Sequence, residues 1–364
     1  MMDSKPCTPI VFLDGGLGTT LQDLHDVDLS TAAPTSTAHL WSSALLLSGE
    51  GTKKLRQAHA SFVQAGSDVI ETATYPLSIP SLHCLQSSEE AKDTLRLGVT
   101  VTLDAIESGE LEKAPKLALS LGSLGALLVP GAEYSGIYPQ PYGPSLPQGN
   151  PHGFPSGTEK AFKDAALRAM ASFHYSRLSD FYISSTNIWD RVSYIAFETV
   201  PTAVEAQSIC RAVYAFYERF PQAAKMWWIS FVFPPDSINK LDESLINLTK
   251  FLFTSKYPPW GIGLNCTHLS RVPALLSRLG EAMANLTLSK EERPFLVLYP
   301  DGGAVYDVVQ KKWDSDPDEP KVWAKKMEEI VNIEVVKEYW GGIAVGGCCK
   351  TGPSHIKELK RLFS

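Results

Sequence analysis

The sequence has few cysteines, no long apolar run and no basic tract, and each shortage removes a class of protein. Six cysteines in 364 residues are too sparse for a disulfide scaffold. The adjacent Cys348 and Cys349 are badly placed to bridge each other, so reduced thiols are expected. No apolar stretch approaches the roughly 18 residues of a membrane span, and Met1 to Pro9 lacks the charged-then-apolar order of a secretion leader. A cytoplasmic protein with no membrane partner is the expectation. The net charge of −7 is scattered along the chain, without an Arg-rich helix or basic-aromatic interleaving, which argues against a nucleic-acid partner. No glycine-rich dinucleotide motif follows an apolar run, so a separate nucleotide subsite is not expected.

What is present is ordinary globular composition, 44% apolar and 20% charged, enough to bury a sizeable core. The length suits one large α/β barrel with insertions, a single domain over residues 1–364. Eight apolar runs each lead into polar or small residues and then a helical pattern: Pro9 to Gly16, Asp68 to Tyr75, Leu117 to Gly125, Val192 to Val200, Lys225 to Phe233, Gly261 to His268, Phe295 to Gly302 and Gly341 to Cys349. Strand alternating with helix means parallel pairing, and eight strands close a (β/α)₈ TIM barrel. An open doubly wound sheet would show the same alternation. Helical spacing appears at Leu55, His59, Phe62 and Val63, and again at Val272, Leu275, Leu276, Leu279 and Met283. Cys210 sits among Ile209, Val213 and Phe216 and is read as core.

Two segments break the repeat, so long loops are expected after strands 1 and 3. His25 to His39 is one. Tyr134 to Gly157, with six prolines and five glycines, is the other. Both are placed over the carboxyl-terminal mouth of the barrel, as substrate loops or as tolerated insertions.

The last residues of the eight runs form an unusually polar ring: Asp14, Thr74, Tyr75, Ser123, Glu198, Ser230, Asn265, Cys266, Tyr299, Asp301, Cys348 and Cys349. Taken alone, Asp14 reads as a turn former or helix cap. Glu198 ends an apolar strand, where a buried carboxylate requires a cation. Cys266, Cys348 and Cys349, three thiols at strand ends, make a metal site with one position left over. That is Zn²⁺ held by thiolates, with a fourth corner where a substrate thiol can bind and lose its proton. Two other readings stay open at this point. Cys348 and Cys349 could act as a redox couple in a thiol oxidoreductase, or the zinc could be structural, with His268 the one nearby candidate for a fourth ligand.

With these motifs in view, the chain resembles the zinc-dependent homocysteine S-methyltransferases. The likeness is carried by Asp14-Gly-Gly-Leu-Gly-Thr19, Ala65-Gly-Ser-Asp-Val-Ile-Glu-Thr-Ala-Thr-Tyr75, Phe197-Glu-Thr-Val-Pro201 with Glu205-Ala206, Ser230-Phe231, Gly261-Ile-Gly-Leu-Asn-Cys266-Thr267, Leu298-Tyr-Pro300 and Gly346-Gly-Cys-Cys-Lys-Thr351. It departs from the family at Asp301, where Asn is common, and in Gly122-Ser-Leu-Gly125. The resemblance implies a (β/α)₈ barrel in which Cys266, Cys348 and Cys349 bind Zn²⁺ and the homocysteine thiol takes the fourth position. It implies that Asp14 and Glu198 hold the substrate ammonium, that amides near Gly15 and Gly16 receive its carboxylate, and that Thr74, Tyr75, Ser230, Asn265 and Tyr299 line the site. Betaine-type members carry a long segment after the cysteine pair, used in oligomerisation, whereas fifteen residues follow it here. A sulfonium donor is therefore expected, S-methylmethionine or S-adenosylmethionine, over betaine or a folate, in a monomer or weak homo-oligomer.

Overall fold

Eight short parallel strands carry the apolar runs: β1 (Ile10–Phe12), β2 (Val69–Glu71), β3 (Lys116–Gly122), β4 (Val192–Val200), β5 (Met226–Phe231), β6 (Gly261–Asn265), β7 (Phe295–Tyr299) and β8 (Gly342–Val345). They are seen in a computed structural model that describes residues 8–29, 35–109, 111–129, 131–143, 160–233, 242–304, 306–307, 312–313 and 315–363. The ladder runs β1-β8-β7-β6-β5-β4-β3-β2. Its two ends, β1 and β2, meet through Asp68: its amide donates to the Phe12 carbonyl at 2.6 Å and its carboxylate accepts the Phe12 amide at 2.9 Å. Side chain and backbone together close the (β/α)₈ barrel where the ladder stops.

Among the described residues, nine helices cover the outside: α1 (Leu17–His25), α2 (Gly49–Ala65), α3 (Ser88–Glu107), α4 (Lys160–Ser184), α5 (Ala203–Arg219), α6 (Asp242–Phe253), α7 (Val272–Ala284), α8 (Pro320–Val335) and α9 (Pro353–Leu362). Their inward stripes are those the spacing marks, with Leu55, His59, Phe62 and Val63 buried on α2 and Leu275, Leu276 and Leu279 on α7. Starts are capped locally: Ser48, Ser87 and Thr202 each accept an amide from the first turn of α2, α3 and α5. No helix among the described residues is long and apolar enough to cross a membrane. A two-residue antiparallel ribbon, Tyr306–Asp307 with Lys312–Trp313, stands apart from the barrel sheet.

The core has two compartments because strand side chains alternate. Trp227, Ile229 and Phe231 pack outward against helices, while Trp228 joins Leu13, Val69, Ala118, Ala196, Val297 and Ala344 inside the barrel. Strands β6 and β7 approach so closely that a Cβ on Gly263 would lie 1.7 Å from the Val297 carbonyl oxygen; a side chain there cannot be accommodated. One period above the inner apolar layer come Glu71, Ser120, Glu198, Ser230 and Tyr299. The alternation that fills the barrel thus sets a polar floor at its carboxyl-terminal mouth.

The strands are shorter than the runs that announce them. Asp14, Thr74, Tyr75, Cys266, Cys348 and Cys349 stand just past strand ends. The stretch after β1 is less irregular than expected: α1 reaches His25 and 3₁₀ turns begin at Thr35, with residues 30–34 outside the described residues. After β3, residues 124–127 form a 3₁₀ turn and residues 131–143 form a loop that buries Ala132 and Tyr138. The rest of the proline-rich stretch, from residue 144 onward, lies outside the described residues.

Candidate functional site

The three thiols predicted from strand ends do converge. Cys266 follows β6, Cys348 and Cys349 follow β8, and their Sγ atoms lie within 4.8 Å of one another. Cys266 and Cys348 are in disulfide contact, with Cα atoms 5.5 Å apart. The expectation of reduced thiols is corrected to that extent: Cys348 faces the distant Cys266 and not its neighbour, a pairing that adjacent residues could not make. A tetrahedral zinc with Zn–S near 2.3 Å sets its sulfurs about 3.8 Å apart, so the donor set fits that ion, with the Cys266–Cys348 pair reduced and parted to reach that spacing. Cys266 and Lys350 adopt left-handed backbone, φ 43° and 60°, which costs of order 1–3 kcal/mol each for a non-glycine residue. Bonds around the second of these hold the Cys348–Lys350 turn: Cys348 N donates to Pro300 O, Gly302 N to Cys349 O and Lys350 N to Thr19 Oγ1, at 2.8 to 2.9 Å.

The sulfurs open into a cavity of about 150 Å³ whose lining includes Asp14, Glu71, Ser120, Glu198, Asn265 and Tyr299. Three carboxyl groups meet there. Asp14 Oδ2 accepts the Glu71 amide at 3.0 Å, Ser120 Oγ donates to Glu198, and Glu71 and Glu198 lie in hydrogen-bonding reach. Burial raises all three above the usual carboxylate range; for Asp14 and Glu71 mutual repulsion adds to it. Glu198 is pushed up to about 7 by burial, moderated by its bonds to Ser120 and Glu71 and by the charge of Arg177.

Between the ordinary value of 4.5 and about 7, the folded chain holds a proton at Glu198 that the unfolded chain has released. Its contribution to stability therefore falls as pH rises through that window. Glu198→Gln should raise the Tm of the metal-free protein at pH 8 and change it little near pH 4.5. A Tm at pH 8 that is unchanged or lower would contradict this.

The walls differ in part from expectation. Gly15 and Gly16 do line the cavity, each so close to a neighbouring carbonyl, of Thr351 and of Cys348, that a Cβ would sit 2.3 Å from it. However, the Gly16 amide already donates to Thr351 O at 2.9 Å. The amides with no intrahelical acceptor are those in the first turn of α1, at Leu17 and Gly18, also on the cavity wall. Tyr75, Asn265 and Tyr299 line the cavity, whereas Thr74 and Ser230 are fully buried outside its lining. Thr74 Oγ1 bonds Thr72 and the Ser120 carbonyl, at 2.6 and 2.7 Å. Ser230 bonds the Tyr299 hydroxyl at 2.5 Å. Asn265 ties β6 to β4 by accepting the Thr199 amide at 2.9 Å and donating to Thr199 Oγ1 at 2.7 Å.

The sequence reading missed Glu71, Ser120, Trp41, Glu133 and Tyr134, all of which face the cavity. It also missed the frame behind them. Arg177 of α4 is buried and donates to the carbonyls of Leu77 (2.7 Å), Gly122 (2.6 Å), Thr74 (3.3 Å) and Tyr75, which joins the loop after β2 to the end of β3. One turn earlier, His174 Nε2 donates to Glu205 Oε1 at 3.0 Å. Glu205 also accepts the Leu124 amide at 2.6 Å and the Tyr138 hydroxyl. Tyr138 belongs to the loop that presents Glu133 and Tyr134, so α4 and α5 together fix that side of the cavity.

Comparison with known proteins agrees with this geometry. The sequence matches the family described as homocysteine S-methyltransferase over residues 11–363. Homocysteine S-methyltransferase 3 of Arabidopsis thaliana is 27% identical over 377 residues, covering 99% of this chain and 91% of its own. Selenocysteine Se-methyltransferase of Brassica oleracea var. italica is 28% identical over 367 residues, covering 97% and 88%. In structure, the metallated form of the homocysteine methyltransferase MmuM from Escherichia coli aligns with a TM-score of 0.64 at 19% identity, covering 99% of this chain and 98% of that one, a likeness of fold. Barrel, sulfur cluster and a match along nearly the whole length lead to one conclusion: the chain belongs to the homocysteine S-methyltransferase family.

Proposed function

We propose that this chain transfers a methyl group from a sulfonium donor to the thiol of homocysteine, with Zn²⁺ held by Cys266, Cys348 and Cys349. The observation that carries this is the meeting of three cysteine sulfurs with buried carboxyls and the start of a helix in one small cavity. An α-amino acid with a thiol side chain has complementary parts for each. When bound, zinc would keep the acceptor sulfur ionised at neutral pH, where a free thiol is mostly protonated. Asp14 and Glu198 would take the ammonium, and the open amides of α1, whose N-terminus favours anions, would receive the carboxylate. Asn265 and Tyr299 would hold the acceptor against the cluster.

The rest of the lining favours a cation. Tyr75, Tyr134 and Trp41 offer aromatic faces beside the Glu133 carboxylate, and attraction of a sulfonium to such faces is worth about 1 kcal/mol or more once desolvated. Of the two sulfonium donors, S-methylmethionine is the first expected and S-adenosylmethionine the second. Acceptor seat and sulfurs come from one chain, so a monomer or weak homo-oligomer suffices. The three thiolates that the metal needs require the Cys266–Cys348 pair to be reduced, which suits the cytosol. The redox-couple alternative is disfavoured, since Cys348 Sγ faces Cys266 and not Cys349.

Zinc-loaded protein given homocysteine and each methyl-labelled donor in turn should form labelled methionine, detected by mass spectrometry, fastest from S-methylmethionine. Label arriving only from betaine or a methylfolate would reverse the donor assignment. No methionine from any donor would end the proposal.

A further inference from the structure

We propose that Glu71 determines acceptor specificity: with Asp14 and Glu198 it completes a three-carboxyl seat that admits a thiol acceptor bearing a free α-ammonium and rejects one lacking it. This rests on the amino-acid acceptor proposed above and adds a residue to its recognition. Glu71 ends β2 two positions after Val69, which packs inside the barrel, so its side chain also points inward, onto the cavity floor. Its amide is held by Asp14 and its carboxyl reaches Glu198. Its Oε1 is buried with no hydrogen-bond partner among the described residues. An acceptor oxygen left in that state is costly in a protein interior and marks a place where a donor is missing.

The groups facing it supply no cation. Asp14 and Glu198 are themselves acidic, and Tyr75 and Tyr299 carry neutral phenols, that of Tyr299 bonded to Ser230. The nearby cation, Arg177, directs its guanidinium at four backbone carbonyls. An ammonium brings three N–H donors, one for each carboxyl. With only Asp14 and Glu198, one of them would face no acidic acceptor. Conversely, a ligand without nitrogen would leave the Glu71 Oε1 without a donor and the three crowded carboxyls without a cation, the arrangement by which a polar site rejects an analogue lacking the bonded group.

The test compares homocysteine with 4-mercaptobutyrate, which keeps thiol, chain and carboxylate but has no amine, on zinc-loaded protein. Affinity is read by titration calorimetry, and KM and kcat by turnover. Glu71→Gln should weaken homocysteine binding and raise its KM about tenfold while kcat changes little. It should leave 4-mercaptobutyrate unchanged or better bound, so the preference for homocysteine collapses by a similar factor. Removing one of three mutually repelling buried carboxyls should not lower Tm, so the variant is expected to fold. Glu71→Asp, which keeps the charge at shorter reach, should fall between wild type and Gln. An unchanged preference in Glu71→Gln, with Asp14→Asn and Glu198→Gln both reducing it, would overturn the role of Glu71 alone. An unchanged preference in all three variants would overturn the ammonium seat itself.

Discussion

Cys349→Ser should remove bound zinc and methyl transfer together while leaving the barrel folded. Cys349 stands past β8 and is only partly buried, so exchanging sulfur for oxygen disturbs little packing. A serine hydroxyl ionises far less readily than a thiol, and the remaining pair of sulfurs is a poor cage for a tetrahedral ion. The neighbourhood offers no substitute activation: without a metal, burial and the nearby Asp301 charge push the Cys349 thiol itself up to about 12. Metal polarisation is worth several kcal/mol, and each 1.36 kcal/mol is tenfold in rate. Turnover should therefore fall by about 10³-fold or more. Metal analysis should find no stoichiometric zinc, and circular dichroism should match wild type. Cys266→Ser should behave alike, whereas a redox couple of Cys348 and Cys349 would leave Cys266 dispensable. A metal-free Cys349→Ser protein with full activity would sink the sulfur cluster as the reaction centre.

Those cysteines were legible in the sequence because thiolate chemistry needs one residue type and strand ends supply the positions. The eight runs were legible for a similar reason: strands covered on both faces must be apolar almost throughout. Glu71 was harder. Inside Val69-Ile70-Glu71-Thr72 it reads as the polar end of a strand, and only counting two residues on from an inward Val69 aims it at the cavity. Glu133 and Tyr134 lie in a glycine- and proline-rich stretch with no period to assign a face. Thr74 and Ser230 read as strand-end polar residues that line the site, yet Thr74 ties the loop after β2 to β3 and Ser230 bonds behind Tyr299. Gly16 shows the limit from the other side: the resemblance makes its amide a donor to the substrate carboxylate, but the Thr351 carbonyl that occupies that amide is contributed from the far end of the chain. Backbone groups carry no sequence signature, so partners of this kind cannot be read before the fold is known.

Arg177 is the extreme case of that blindness, and its replacement should have the largest effect on stability. Nothing in Tyr175-Ser176-Arg177-Leu178 separates it from an ordinary solvent-facing arginine on α4, since it pairs with no carboxylate among the described residues and its partners are four carbonyl oxygens from the loop after β2 and the end of β3. Burial lowers its affinity for a proton to about 9, still leaving it charged at neutral pH. Arg177→Met keeps much of the volume and deletes every bond. The Thr74 and Tyr75 carbonyls keep the amides of Leu77 and Gly122, so the cost falls on the carbonyls of Leu77 and Gly122, about 1–3 kcal/mol each; a net loss of about 2–5 kcal/mol is expected, near that of stripping one partner from a buried charge pair. Urea unfolding should show this as a lower midpoint at unchanged slope. Arg177→Lys should rescue little, because an ammonium cannot reproduce the planar fork that spans Leu77, Gly122 and Tyr75. Because those carbonyls set the loop carrying Tyr75, the surviving folded Arg177→Met protein should show a raised KM for the methyl donor with homocysteine affinity nearly unchanged. A midpoint within experimental error of wild type would mean that the four bonds are replaced by water at little cost, and that α4 does not hold the donor side of the cavity.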